Sequence, residues 1–167
     1  FNRLTSNERV YRSLFVNELC KSDLIDKGYI SFSKNCPDGG AFDTNLIQGI
    51  TNQGINPNLV QEAINNINQL PELRIDFENQ DIPNQSMLLS PIDKLMRSFI
   101  FVVTETCYWQ TKTHLTEKIF KPIVLRMPFL LLGCAHNLEY LQSYGFKTFS
   151  DYWDESYDSI EDPIIRM

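Results

Sequence analysis

Residues 99–133, FIFVVTETCYWQTKTHLTEKIFKPIVLRMPFLLLG, constrain this chain more than any other stretch. The apolar run Phe99–Val103 has the length and β-branched content of a buried strand. It passes into Thr104-Glu105-Thr106 and a polar loop. Thr116 then stands where a helix N-cap is expected, with Glu117 in the first turn, where a negative charge suits the helix dipole. Pro122 removes an interior hydrogen bond, so the helix is expected to be short or bent around residues 118–122. A second apolar run, Phe129–Leu132, closes at Gly133. Strand, loop, helix, strand is the sequence of a parallel crossover, and ligands of open α/β sheets bind outside the carboxyl ends of the strands. Glu105, Glu117 and Lys118 fall at that end.

The remaining segments extend this pattern. Ser6 or Asn7 is placed to cap a helix reaching Cys20, with Val10, Leu14 and Leu19 on one stripe and Arg9, Arg12 and Glu18 on other faces. Tyr29–Ser33 alternates like a short strand. Residues 34–56 carry Asn35, Pro37, Asp38-Gly39-Gly40, Gly49 and Gly54 and read as loop. Asn56-Pro57 opens an amphipathic helix through Leu70. Pro83 and Asn84 mark a loop, and residues 91–97 a short helix or turn. His136 to Tyr144 reads as a helix ended by Gly145, Phe146–Phe149 as a short strand, and a further helix is expected from Ser156. Alternating strands and helices predict an α/β fold, a parallel sheet with helices on both faces. With 167 residues, one domain with a real core is expected. The start at Phe1 and the stop at Ile164-Ile165-Arg166-Met167 suggest a domain excised from a longer polypeptide.

Charge and cysteine usage exclude some classes. A net charge of −6 argues against a non-specific nucleic-acid binder. Cys20, Cys36, Cys107 and Cys134 form no C-x-x-C pair, so neither a zinc site nor a disulfide framework is indicated, and a reducing, cytoplasmic setting is expected. No apolar run approaches the roughly 20 residues that span a bilayer. Neither a G-x-G-x-x-G, a Walker loop nor a G-x-S-x-G occurs.

Two constellations remain as candidate sites. In the first, the carboxylates Glu105 and Glu117 would accept sugar or ribose hydroxyls, and Lys118 would neutralise a diphosphate cradled by helix amides. A solvated loop with incidental charges is the plain alternative. The second comprises Asn2, Arg3, Arg9 and Arg12. If Phe1 ends a strand, Asn2-Arg3 lies on the same rim as Glu105, and arginine suits phosphate. A solvated basic helix face is the alternative for Arg9 and Arg12. In the acidic-aromatic cluster Asp151–Asp158, a metal site competes with the simpler reading that Tyr152 and Trp153 pack and the acids cap a helix. Tyr108 and Trp109 would either stack on a base or sugar, or cover the core.

The patterns V-V-T-E-T, L-T-E-K-I-F-K-P-I, M-P-F-L-L-L-G and L-E-Y-L-Q-S-Y-G-F-K-T-F-S-D-Y-W-D-E-S-Y-D resemble the donor-binding half of a glycosyltransferase. The similarity is to a virus and marine-microbe group over residues 2–158. Over residues 101–133 it extends to the α1,3-fucosyltransferases, which also place a glutamate after a strand and T-E-K at the next helix. The resemblance implies the C-terminal, Rossmann-like half of a GT-B fold, taking a nucleotide-diphosphate sugar and needing no metal or cofactor. It implies donor-binding roles for Asn2, Arg9, Arg12, Glu105, Thr116, Glu117 and Lys118, with Lys118 and Arg3 meeting the charge of the leaving diphosphate. The partners implied are a glycan or other acceptor and an N-terminal acceptor domain outside this chain, with no nucleic acid and no membrane span. Where fucosyltransferases read E-N-S, this chain has Glu105-Thr106-Cys107, so fucose and GDP do not carry over. A non-catalytic binding or structural module keeping the same fold is the rival expectation. A flavodoxin-like regulatory domain is weaker, because Asn2-Arg3 stands where that fold would place an acidic cluster.

Overall fold

The computed structural model describes residues 5–36, 40–73 and 92–167. The chain forms two compact units, Phe1–Ser98 and Phe99–Met167.

The described residues of the first unit are mainly helical. A 3-10 turn at Asn7–Arg9 leads into α1 (Tyr11–Lys21), followed by α2 (Phe42–Gln53), α3 (Pro57–Gln69) and the short α4 (Ile92–Met96). Asn56 caps α3 by accepting from the Asn58 amide at 2.9 Å, and Pro57 occupies the first turn as expected. Lys34 Nζ donates to the carbonyls of Asn68 and Leu70 near the end of α3, at 3.2 and 2.8 Å. α1 and α3 are joined by the buried Asn17, which donates to Glu62 and accepts from Asn66.

The helix α2 corrects the loop expected over residues 34–56. Phe42, Asn45, Leu46 and Gly49 form its buried stripe at helical spacing. Gly49 is not a breaker there. A Cβ at that position would meet Ile55 Cδ1 at 2.9 Å and Val10 Cγ2 at 3.3 Å, so the residue is small because its neighbours approach closely. Gly54 ends α2 in the left-handed region at φ +66°. Among the described residues, the strand expected at Tyr29–Ser33 makes one antiparallel bridge, Phe32 to Leu73. Arg12 does not lie on a solvated face: it is fully buried, with its guanidinium over the Tyr11 ring at 5.8 Å. Asn2 and Arg3, with Pro37, Asp38, Gly39, Pro83 and Asn84, lie outside the described residues.

The second unit is α/β. Strand β1 (Phe101–Thr104) pairs in parallel with β2 (Phe129–Leu132), in the register Phe101 to Phe129 and Thr104 to Leu132. The crossover is α5 (Glu117–Val124), and α6 (Asn137–Ser143) follows β2. Val103, Ile119, Phe129, Leu131, Leu138 and Leu141 form the core, with Phe146, Phe149 and Tyr157 packed at its margin. α5 runs through Pro122 for two more residues and is short, eight residues in all. It ends in a Schellman turn, with Met127 N–H donating to the Pro122 carbonyl at 2.9 Å and Arg126 N–H to that of Ile123 at 3.0 Å. Arg126 holds the left-handed position, φ +55°, where glycine is usual.

Three more expectations are corrected. Phe146–Phe149 is not a strand: the Tyr152 and Trp153 amides turn back onto the Phe149 carbonyl, and Phe149 stacks on Trp153 at 4.8 Å. Tyr152 is exposed rather than packed. The helix expected from Ser156 is a single 3-10 turn, Ser156–Ser159, leading to extended Ile160. Among the described residues no helix is long and apolar enough to cross a membrane.

Candidate functional site

The carboxyl end of β1 carries a densely bonded polar cluster. Glu105 extends the ladder by one residue, its N–H donating to the Leu132 carbonyl at 2.9 Å. That bond turns the fully buried carboxylate toward the start of α5. Glu105 accepts from the Thr116 amide at 3.0 Å, from the Thr106 amide at 3.3 Å and from the Thr116 hydroxyl. Thr116 is also the N-cap of α5, accepting from the Lys118 amide at 3.4 Å. One hydroxyl thus joins the strand end to the helix start.

Lys118 completes the cluster. Its ammonium donates to the Thr116 hydroxyl at 3.1 Å, the Thr106 hydroxyl at 3.3 Å and Glu117 Oε1 at 3.0 Å. Its side chain retains 21% of its exposure and that of Glu117 62%, so both reach solvent while Glu105 does not. Burial pushes the Glu117 carboxyl up. The hydrogen bond from Lys118, its own backbone amide, and the charges of Lys118 and His114 outweigh this and hold it below the ordinary carboxylate range. The arrangement presents a fixed cation and an ionised carboxylate at a helix N-terminus, with a buried glutamate setting their positions.

The loop from β1 to α5 is held from behind by residues that the sequence reading did not single out. Asn137, fully buried at the start of α6, bonds both backbone groups of His114: Oδ1 accepts from N–H and Nδ2 donates to C=O, each at 3.1 Å. Gly133 makes room for it, since a Cβ there would fall 2.2 Å from Asn137 Nδ2. Arg166 lies buried over the Tyr108 ring at 4.9 Å. It donates to the carbonyls of Tyr108 at 2.8 Å, Gly133 at 3.2 Å, Glu161 at 3.1 Å and also Ile160. Tyr108 is not a stacking platform: it is fully buried and its hydroxyl donates to the Pro163 carbonyl at 2.8 Å. The glycine closing β2 was the available signal for close packing, whereas nothing local to Arg166 announces its role.

Asp154 and Asp158 cap, as the plainer reading expected of the acids in residues 151–158. Asp158 accepts from the Leu138 and Glu139 amides across the start of α6, and Asp154 from the Ser156 amide. Burial outweighs the backbone bonds and raises the Asp158 carboxyl. Among the described residues no three His, Cys, Asp or Glu side chains are grouped to hold a metal ion.

The second unit therefore brings Glu105, Thr116, Glu117 and Lys118 together. Arg9, half-buried on the 3-10 turn, and the buried Arg12 belong to the first unit. Compared with known proteins, the chain matches no family model, no curated protein and no solved structure.

Proposed function

We propose that the chain is the donor-binding half of a metal-independent glycosyltransferase, taking a nucleotide-diphosphate sugar at the carboxyl end of β1. The observation that carries this reading is Lys118, fixed in the first turn of α5 by Thr116 and Thr106 while its side chain still reaches solvent. The parallel strand–helix–strand unit supports a Rossmann-like sheet with helices on both faces, and such sheets bind nucleotides at this end. Lys118 meets the diphosphate together with the α5 amides, and Glu117 takes ribose or sugar hydroxyls. Glu105 and Thr116 position them without touching the donor. In the transition state negative charge grows on the leaving diphosphate, where a preset cation contributes a few kcal/mol, roughly a hundred-fold in rate or more. The four free thiols support a reducing, cytoplasmic setting.

One observation favours a second reading, a binding module without catalysis. All three Lys118 donors are occupied within the cluster, as they would be if the lysine only braced the loop. Calorimetric titration with GDP, UDP, ADP and CMP, with and without Mg²⁺, tests both. Saturable, metal-independent binding that is lost in a folded Lys118→Ala chain is the expected result. Binding unchanged in that variant refutes the assignment of Lys118. Binding without sugar transfer by a chain that also carries an acceptor domain selects the second reading.

A further inference from the structure

At the opposite, amino end of β2 the second unit carries an open groove of about 310 Å³. Its walls are almost wholly apolar: Ile123, Met127, Phe129, Phe146 and Phe149, with Pro128 at the strand entry. Two polar side chains line it, Arg126 and Lys147, and both are cations. Both residues are exposed, and neither side chain has an ion-pair or hydrogen-bond partner among the described residues. In a chain of net charge −6, two unpartnered cations on one apolar groove are an uneven placement of charge.

The backbone at Arg126 adds an independent observation. α6 ends with Gly145 in the left-handed position, φ +86°, which is the usual choice. α5 ends with Arg126 in that conformation, at φ +55°, where a long side chain is disfavoured. Strain held at a groove lip points to a use for the side chain. The groove volume lies at the lower bound of small-molecule sites, which combine apolar walls with a few convergent polar groups.

We propose that this groove binds a small anion with an apolar body, an acyl or aryl carboxylate, with the body among the phenylalanines and the carboxylate between Arg126 and Lys147. The proposal does not depend on the donor-site reading, since its residues lie at the other end of the strand from Lys118.

The test uses 2-naphthoate as probe and 2-naphthylmethylammonium as its cationic counterpart, titrated into the chain by calorimetry and by NMR of the Phe146 and Phe149 amides. Saturable binding of naphthoate at least tenfold tighter than the ammonium is expected. Arg126→Gly and Lys147→Gln should each weaken it about threefold to fivefold, and together about tenfold or more. Arg126→Gly should melt no lower than the parent, because it relieves the left-handed residue, so its lost affinity is not a folding defect. Equal affinity for both probes, non-saturable binding, or an unchanged Kd in the double variant would overturn the proposal. Shift changes that follow protein concentration and not naphthoate would overturn it in favour of a second copy of this chain.

Discussion

Replacing Gly133 by alanine tests whether the loop before α5 is held by the contact behind it. The added Cβ would lie 2.2 Å from Asn137 Nδ2 and 3.2 Å from its Cγ. Asn137 has no room to yield, being fully buried with both amide atoms bonded to the His114 backbone. Two lost hydrogen bonds at about 1 kcal/mol each, plus about 1 kcal/mol of overpacking, give an expected destabilisation of about 3 kcal/mol. In an Asn137→Ala background the two closest of these atoms are gone, and the residue 137 Cβ, at 3.5 Å, is an ordinary contact. There Gly133→Ala should cost under about 0.5 kcal/mol, and the double-mutant cycle should return a coupling of about 2–3 kcal/mol. Urea unfolding followed by tryptophan fluorescence is the assay, since Trp109 and Trp153 both lie in the second unit. Equal costs in the two backgrounds, to within about 0.5 kcal/mol, would refute the reasoning.

Three further outcomes follow from the same geometry. Arg166→Met should destabilise the second unit by about 3 kcal/mol, because four carbonyls lose a charged donor; a urea midpoint unchanged from the parent would show the contacts to be incidental. The hydrogen bonds of His136 to Glu139 and Glu161 raise its pKa above 6.5, so the stability it contributes is fully present below that value and is lost as pH rises through the folded pKa. An NMR titration should show the raised value and its fall in Glu161→Gln. Burial first, and then the neighbouring Cys107, push the Cys134 thiol up to about 11, so at pH 7.5 it should react with Ellman's reagent roughly a hundred-fold more slowly than an ordinary thiol until the chain is unfolded.

Local signals accounted for much of the second unit. Thr116 as N-cap and Gly145 after α6 act through bonds within a few residues, and the apolar runs that became β1 and β2 show in composition although the strands pair 28 residues apart, so all could be read in order along the chain. The helix α2 was missed because Gly40, Gly49 and Gly54 look alike in sequence. Gly54 does end a helix, while Gly49 lies inside one and owes its size to Ile55 and Val10. The strands expected at Tyr29–Ser33 and Phe146–Phe149 rested on short apolar patterns that do not show whether a partner lies alongside: among the described residues the first makes one bridge, to Leu73, and the second turns back onto the Phe149 carbonyl.

The candidate site divides along the same line. That Glu105, Glu117 and Lys118 would gather at one strand end was determined by the sequence, because a strand, a capped helix and the loop between them place those residues by local geometry alone. Which of them faces solvent was decided by tertiary structure. Glu105 turns inward because its backbone continues the bond to Leu132, and its carboxylate meets the Thr116 amide and hydroxyl there. Gly133, Asn137 and Arg166 support that loop through partners 23 to 58 residues away. Bonds of that span depend on where packing brings distant backbone groups, which no local pattern encodes.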